Sequence, residues 1–170
     1  DSLAEEAIDF YQAVTPHPFG VFARSAFLTG TACPSNGICD YYDPLPKNSR
    51  TLAHCFGERG YDTAFWGKWQ LHERTLDDPV VGEAHAKIEV PHDRRGGFGF
   101  WEGFESGFLL NDGFYHGSNI GAPKQLKGYQ SDVIVDRAID YLDTRDSGNP
   151  FFAFLSLDAP HPPYAEDAAG

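Results

Sequence analysis

The sequence contains no methionine and only three cysteines, Cys33, Cys39 and Cys55. Without a methionine the chain carries no initiator residue, and we therefore expect it to be a piece of a longer protein. Because the cysteines are odd in number and form no CxxC pair, a zinc site is disfavoured. A disulfide between two of them is left open, so cysteine usage does not assign a redox compartment.

Basic residues are also few. The chain has 13 Lys and Arg against 25 Asp and Glu, and its net charge of −12 argues against a general nucleic-acid or membrane-surface binder. A small basic pocket is still compatible with this balance. No apolar run is long enough to span a bilayer. The 41% hydrophobic content over 170 residues is enough for one domain with a sizeable core.

The stretch 19–30 predicts a short helix that could face an anion. Gly20 precedes an apolar helical segment, and Gly30 stands where a left-handed C-cap would end it. Arg24 is expected near the start of this helix, where free N–H groups and the helix dipole favour anions. Its planar guanidinium suits a sulfate, phosphate or carboxylate. The alternative interpretation is a surface helix with a solvated arginine.

The first half of the chain alternates helix and strand signals. Residues 2–7 are expected to be helical, and the apolar alternation of residues 8–14 predicts a strand. Ser49 or Thr51 can cap a following helix, and the apolar run 61–66 then predicts a second strand.

The second half repeats the pattern. Ser131 can cap a helix that runs to about Thr144, and the nearly continuous apolar run 150–157 is typical of a buried, parallel strand. Helices alternating with short apolar strands predict an α/β fold with a mostly parallel central sheet flanked by helices.

Three intervening segments carry weaker signals. The charged segment 74–95, whose histidines are irregularly spaced, is expected to be solvated loop rather than a metal site. The aromatic and glycine-rich segment 96–104 could line a substrate groove or anchor a loop on the core. Asp112-Gly113 between apolar pairs predicts a hairpin turn.

Lys68 and His161 follow the two strands expected to be parallel. In open α/β sheets ligands bind beyond the carboxyl ends of the strands, and the Arg24 helix could begin at the same edge. Arg24, Lys68 and His161 are therefore expected to converge on one anion, although each alone could be an ordinary surface residue.

Short blocks along the chain match a known family pattern, in its order. Residues 24–30 read R-S-A-F-L-T-G, which resembles the second half of the signature C-x-P-S-R-x-x-x-L-T-G. The other matching blocks are Thr51-Leu52-Ala53, Gly60-Tyr61-Asp62-Thr63-Ala64, Gly67-Lys68-Trp69, Pro150-Phe151-Phe152 and Pro160-His161-Pro162-Pro163-Tyr164. Together they cover nearly the whole chain and resemble the N-terminal part of a sulfatase, in the alkaline phosphatase superfamily.

The resemblance implies a partial alkaline-phosphatase-like sandwich. It also implies that residues 1–170 form a single, partial N-terminal catalytic domain truncated at both ends. The expected function of the full-length parent is hydrolysis of a small-molecule or carbohydrate sulfate ester, in a secreted, lysosomal or periplasmic location. Nucleic acid is not an expected partner, and the oligomeric state is left open.

The resemblance also assigns residue roles. Arg24 would hold and polarise the nucleophile, Lys68 would bind sulfate oxygens with Gln70 beside it, and His161 would contact the sulfate or protonate the leaving oxygen. Family members use a formylglycine, made from Cys or Ser, whose hydrate attacks sulfur beside a calcium ion. Such cations stabilise the charge that develops around a transferred oxyanion.

Three departures from the family pattern bear on activity. Gly20 stands at the nucleophile position and has no side chain to oxidise, and Phe22 and Ala23 replace the Pro and Ser that follow in the signature. Gln70 replaces a histidine, and an amide cannot shuttle a proton near neutral pH. The family's paired Asp ligands and its later Asp-Asn or Asp-His pair would lie outside the segment, so Ca²⁺ is expected only in the full-length parent and no metal ligand is assigned here.

These departures leave alternatives to sulfate ester hydrolysis. One is a catalytically impaired, sulfatase-like protein that binds anions without turnover. The other is a phosphate or phosphonate ester hydrolase of the same superfamily that uses another nucleophile, such as Ser25 or Thr15.

Overall fold

The computed structural model describes residues 2–146 and 148–162. The helices are α1 Ser2–Glu6, α2 Gly20–Thr29, α3 Leu52–Gly57, α4 Gly82–Ala86 and α5 Gln130–Thr144. The strands are β1 Asp62–Lys68, β2 Phe100–Phe104, β3 Phe114–Gly117, β4 Gly121–Gln125 and β5 Phe151–Ser156. One turn of 3₁₀-helix spans His92–Arg94. Within the described residues, no helix combines the length and the apolar character needed to cross a membrane.

The strands form one mixed sheet in the order β4-β3-β2-β1-β5. β1 lies between β5 and β2 and pairs with both in parallel. β3 and β4 extend the sheet as antiparallel strands beyond β2. The predicted α/β fold with a parallel centre is therefore confirmed, and an antiparallel extension adds to it.

Side chains on both faces of β1 are buried, which places this strand at the centre of the protein. Phe65 points to one face, where it packs against Trp69 and Trp101 and against residues of α2 and α3. Trp66 points to the opposite face, toward α5. This alternation follows from the two-residue side-chain period of a strand with both faces covered.

Local capping signals explain where α3 begins and where α2 ends. Thr51 caps α3, and its backbone N–H bonds in return to the ring of His54, as a capping box requires. Gly30 ends α2 in the left-handed conformation, as predicted, and its N–H donates to the Ala26 carbonyl. The expected cap at Ser131 is wrong, because α5 begins at Gln130 and follows an uncapped Tyr129.

The predicted strand over residues 8–14 is also wrong. The segment has no strand hydrogen bonds, and Ile8 and Val14 are exposed. Alternating apolar residues form a strand only when a partner strand satisfies their backbone groups, and no described strand pairs with them.

The hairpin lies later in the chain than predicted. β3 and β4 are joined at residues 118–120, whereas Asp112 precedes β3. Asp112 does adopt a left-handed turn conformation, and its carboxylate accepts from the backbone N–H of Gly128 at 2.9 Å. The turn chemistry at Asp112 is therefore present, but it tethers two loops instead of joining two strands.

The run 150–157 is a parallel strand, but it is not fully buried. Phe151 is 46% and Leu155 is 40% exposed. β5 is an edge of the described sheet, so its outer side has no neighbouring strand there.

Two other segments differ from the sequence analysis. The charged segment 74–95 contains α4 and buries both Arg74 and His85, so it is not a solvated loop. The segment 96–104 contains β2, and its Trp101 and Phe104 lie in the core, so these aromatic residues anchor the segment on the core.

Candidate functional site

The carboxyl ends of β1 and β5 lie side by side, because Gly67 pairs with Ser156 in the parallel ladder. Gly67 has φ +103°, and a Cβ there would overlap the Ser156 carbonyl oxygen. Glycine therefore permits the close approach of the two strand ends. Lys68 and Asp158 extend from this edge, which is where ligands bind in open α/β sheets.

Lys68 forms a buried ion pair with Asp158. Its Nζ lies 2.8 Å from Asp158 Oδ1, and each side chain is only 1% exposed. Burial lowers the pKa of Lys68, while the Asp158 carboxylate opposes that shift. Among the described residues the second carboxylate oxygen of Asp158 has no hydrogen-bond partner. Sequence analysis did not find Asp158, although it follows a predicted strand by the same rule that indicated Lys68.

Arg24 is the fifth residue of α2, and its guanidinium reaches this edge beside Gly20, the first residue of the helix. The expectation that Arg24 lies at the start of the helix is corrected accordingly. Its Nε donates to Ser156 Oγ at 3.3 Å, and its Nη1 donates to Gln70 Oε1 at 2.9 Å. Burial lowers the pKa of Arg24, and the carboxylates of Asp158 and Glu105 oppose the shift. Arg24 and Lys68 therefore share Asp158 as a neighbouring anion.

Gln70 is 5% exposed and has φ +55°, an uncommon conformation for a residue other than glycine. Its backbone N–H donates to the Glu105 carbonyl at 2.8 Å, and its side-chain amide lies 3.5 Å from the Tyr41 hydroxyl. The amide thus spans from Arg24 to Tyr41. Strained backbone that the surroundings maintain is typical of functional sites.

Gly20 is the first residue of α2 and faces the Arg24–Gln70 hydrogen bond. A Cβ built on Gly20 would lie within 3.0 Å of both Arg24 Nη1 and Gln70 Oε1. The two side chains therefore fill the space into which a side chain at position 20 would extend.

Two further charged residues lie behind this cluster. Glu105 is fully buried, and burial raises its pKa to about 7. Arg74 Nε lies 3.7 Å from Glu105 Oε1, and the Arg74 guanidinium stacks 4.5 Å from the Tyr41 ring centroid. Sequence analysis missed both: Arg74 because its segment was interpreted as loop, and Glu105 although it directly follows a parallel strand.

His161 reaches the edge through an aromatic neighbour. Its ring centroid lies 4.5 Å from that of Phe108, and Lys68 Nζ lies 4.2 Å from the Phe108 centroid. The structure therefore brings Gly20, Arg24 and Gln70 into one cluster and Lys68 next to it, and it connects exposed His161 to Lys68 across one ring. Pro163 and Tyr164 of the same sequence block lie outside the described residues.

The described residues do not fit a metal centre. In ranges 2–146 and 148–162, no three His, Cys, Asp or Glu side chains are grouped so that they could hold an ion. Asp158, the carboxylate at the edge, already bonds Lys68.

The fold and the site together define a class: α/β proteins that present cationic side chains at the carboxyl edge of a parallel sheet. The family model for sulfatases matches residues 1–169. The chain belongs to the sulfatase family.

Individual relatives agree with this assignment. The ulvan-active sulfatase of Formosa agariphila is 32% identical over 96% of this chain and 30% of its own length. The N-acetylglucosamine-6-O-sulfatase of Bacteroides thetaiotaomicron is 29% identical over 95% of this chain and 25% of its own length. The chain thus spans less than a third of the length of either curated relative.

Solved structures share the fold. The sulfatase YidJ of Bacteroides fragilis superposes with a TM-score of 0.80 at 22% identity, over 94% of this chain and 38% of that one. A structure solved with its substrate D-glucosamine-2-N,6-O-disulfate superposes with a TM-score of 0.64 at 28% identity, over 84% of this chain and 25% of that one.

Proposed function

We propose that the full-length parent of this chain binds and hydrolyses sulfate esters of carbohydrates, with Arg24 and Lys68 as the cations that hold the sulfate. The observation that carries the proposal is the charge at the carboxyl edge. Among the described residues, three cations, Arg24, Lys68 and Arg74, lie near two carboxylates, Asp158 and Glu105, and Glu105 has a pKa of about 7. A net positive charge in partly desolvated surroundings suits an oxyanion. The named activities of the two curated relatives support a sulfated carbohydrate as the ligand.

Each proposed role uses a group that lies near this edge. Arg24 and Lys68 would stabilise the sulfate oxygens, and the Gln70 amide would donate a hydrogen bond to them. His161 is exposed and its ring lies 4.5 Å from that of Phe108, and its imidazole would supply a proton to the leaving oxygen. Since Arg24 Nη1 donates to Gln70, ligand binding would replace that hydrogen bond.

Gly20 at the proposed nucleophile position predicts slow turnover. Loss of a covalent nucleophile commonly costs several orders of magnitude in rate, on the order of 10⁴ or more. The filled space beside Gly20 favours the second candidate, a sulfatase-like protein that binds sulfate esters without turnover. A divalent cation in the parent would need ligands from residues outside this chain.

The phosphate or phosphonate ester hydrolase gains less support. Ser25, one nucleophile considered for it, is fully buried and donates to the Phe22 carbonyl at 3.0 Å. Thr15 is exposed and donates to the His17 carbonyl at 3.1 Å.

The test measures binding and turnover by the full-length parent. We expect inorganic sulfate to bind, and Arg24→Gln to weaken binding by about tenfold or more, since a charge-assisted hydrogen bond to an anion contributes about 1.5–3 kcal/mol. Arg50→Gln removes the same charge from a solvent-exposed pair with Glu58 and should leave sulfate affinity within about twofold. Equal losses in the two variants would refute the site.

Turnover then separates the candidates. Release of sulfate from 4-nitrophenyl sulfate that Arg24→Gln abolishes would support the hydrolase. Sulfate binding without release would support the anion-binding protein. Turnover of 4-nitrophenyl phosphate alone would support the phosphate ester hydrolase.

A further inference from the structure

Glu105 is a buried carboxylate to which the proposed sulfate site assigns no contact with the ligand. It directly follows β2, whose last residue, Phe104, pairs with Lys68 in the parallel ladder. Its backbone carbonyl accepts from the Gln70 N–H at 2.8 Å, and the Gln70 amide in turn accepts from Arg24. Its side chain is fully buried. Glu105 therefore lies at the same edge as both cations, one residue removed from the ligand.

The hydrogen bonds of the Glu105 carboxylate do not form a closed ion pair. Both of its oxygens lie 3.2 Å from the His72 backbone N–H. Arg74 Nε is 3.7 Å from Oε1, which is too long for a hydrogen bond, and among the described residues Arg74 Nε and Nη1 have no hydrogen-bond partner. A carboxylate that served only to hold Arg74 would form the bidentate pair that suits a guanidinium. Glu105 therefore contributes mainly its charge.

That charge acts on both cations of the proposed site. Burial lowers the pKa values of Arg24 and Lys68, and the Glu105 carboxylate is among the anions that oppose both shifts. With Glu105 ionised, the three cations and two carboxylates at this edge leave a single net positive charge. With Glu105 neutral, the edge carries one positive charge more.

The net charge of the edge bears on which anion it suits. Sulfate and phosphate monoesters share a tetrahedral shape, but near neutral pH a sulfate monoester carries one negative charge and a phosphate monoester nearly two, since the second pKa of the phosphate is about 6. The cost of removing an ion from water grows with the square of its charge, so a single positive charge compensates a monoanion better than a dianion.

We propose that Glu105 is a specificity-determining residue, whose negative charge favours singly charged sulfate esters over doubly charged phosphate esters. Electrostatic energy is proportional to the charge of the ligand, so the carboxylate repels a phosphate ester about twice as strongly as a sulfate ester. The inference rests on the proposed function, which places the anion at Arg24 and Lys68.

The test compares two ligands that differ in charge, using calorimetry on the full-length parent at pH 8. The probes are 4-nitrophenyl sulfate and 4-nitrophenyl phosphate. At this pH Glu105 is ionised, because its pKa is about 7. Glu105→Gln removes the charge and keeps the shape, and burial already favours the neutral form of this side chain, so we expect the variant to fold. It should tighten binding of the sulfate ester by about threefold and of the phosphate ester by about tenfold.

Glu73→Gln is the matched control. It removes the same charge from an exposed carboxylate near Arg94, where solvent screens the interaction. Both esters should therefore keep their affinity within about twofold.

A second measurement uses the wild type alone and does not depend on how a variant folds. Inorganic sulfate and 4-nitrophenyl sulfate keep their charges between pH 8 and 6, whereas Glu105 gains a proton. Inorganic sulfate should then bind about tenfold tighter and the singly charged ester about threefold tighter. Burial lowers the pKa values of His72 and His85, so neither gains a proton before Glu105 does. Repeating the measurement in His161→Ala excludes the exposed imidazole.

The two proposals fail in different ways. If both esters bind and Glu105→Gln changes their affinities equally or not at all, selection by charge is overturned, while the sulfate site stands as long as Arg24→Gln still weakens binding. Affinities that do not rise between pH 8 and 6 would also overturn the role of Glu105. If neither ester binds to the wild type or to Glu105→Gln, the sulfate site fails and the role of Glu105 fails with it.

Discussion

The two ends of the candidate site are built differently. At the closed end, formed by Gly20, Arg24, Gln70, Lys68 and Asp158, charged and polar groups bond to one another and little of them meets solvent. At the open end, Phe108 and His161 border an apolar cavity. The contrast shows that buried charged groups need stabilising partners within the protein. An apolar wall needs no such partner.

The physical reason is the cost of burying charge. Removing an ammonium from water is unfavourable by several kcal/mol unless an anion compensates, and Asp158 is that anion for Lys68. Gln70 gives Arg24 a neutral amide oxygen as its hydrogen-bond acceptor. The charged groups of the closed end therefore take their partners from the protein itself.

The largest expected effect is the loss of Asp158. Asp158→Asn removes the carboxylate that pairs with the buried Lys68 cation, and we expect the free energy of unfolding to fall by about 3–5 kcal/mol. At the open end, His161→Ala removes an exposed side chain and should change the free energy of unfolding by less than about 0.5 kcal/mol. Chemical denaturation of the two variants measures the contrast, and similar losses would contradict it.

Glu105 should make stability depend on pH. Burial raises its pKa from 4.5 to about 7, so between these values the folded state holds more protons than the unfolded state. The contribution of Glu105 to the free energy of unfolding therefore decreases as the pH rises from about 4.5 to 7, by about 1–3 kcal/mol.

Denaturation of the wild type and Glu105→Gln at pH 5, 6 and 7 would test this dependence. In Glu105→Gln, most of the decrease in the free energy of unfolding with rising pH should be absent. Glu73→Gln neutralises an exposed carboxylate on the neighbouring loop and serves as the control, which should retain the slope. A wild-type slope that Glu105→Gln leaves intact would assign the effect to another group.

The smallest effect is expected at Gly20. Gly20→Ala should displace the Arg24–Gln70 hydrogen bond and lower the free energy of unfolding by about 1 kcal/mol. Gly57 is also a terminal residue of a helix, but a Cβ added there would meet no described atom within 4 Å, and its φ is not positive. Gly57→Ala should therefore stabilise the protein by about 0.4–1 kcal/mol, which chemical denaturation would measure alongside Gly20→Ala.

A double-mutant cycle makes the Gly20 test specific. In a Gln70→Ala background the space beside Gly20 is larger, and the cost of Gly20→Ala should shrink. An unchanged loss of stability on Gly20→Ala would show that contact with the Arg24 and Gln70 side chains does not restrict the residue at position 20.

Patterns in the sequence were sufficient for the elements whose causes are local. The helix ended by Gly30 and the cap at Thr51 need only nearby backbone groups, and both are confirmed. The same applies to Lys68 at the end of a strand, because the end of an apolar run is visible in the residue order. The strand predicted over residues 8–14 is wrong because a strand also requires a partner strand elsewhere in the chain, and alternating apolar residues do not supply one.

Residue order and local hydrogen bonding are sufficient to predict the alternation of helices and strands, the family blocks and the identity of the cationic residues. Which groups face one another depends on how the whole chain packs: Asp158 faces Lys68, Gln70 faces Arg24, and Phe108 faces both Lys68 and His161. In the closed end, Arg24 and Gln70 are 46 positions apart in the chain, and Lys68 and Asp158 are 90 apart. Contacts of that range arise from strand order and packing, which no short stretch of sequence encodes.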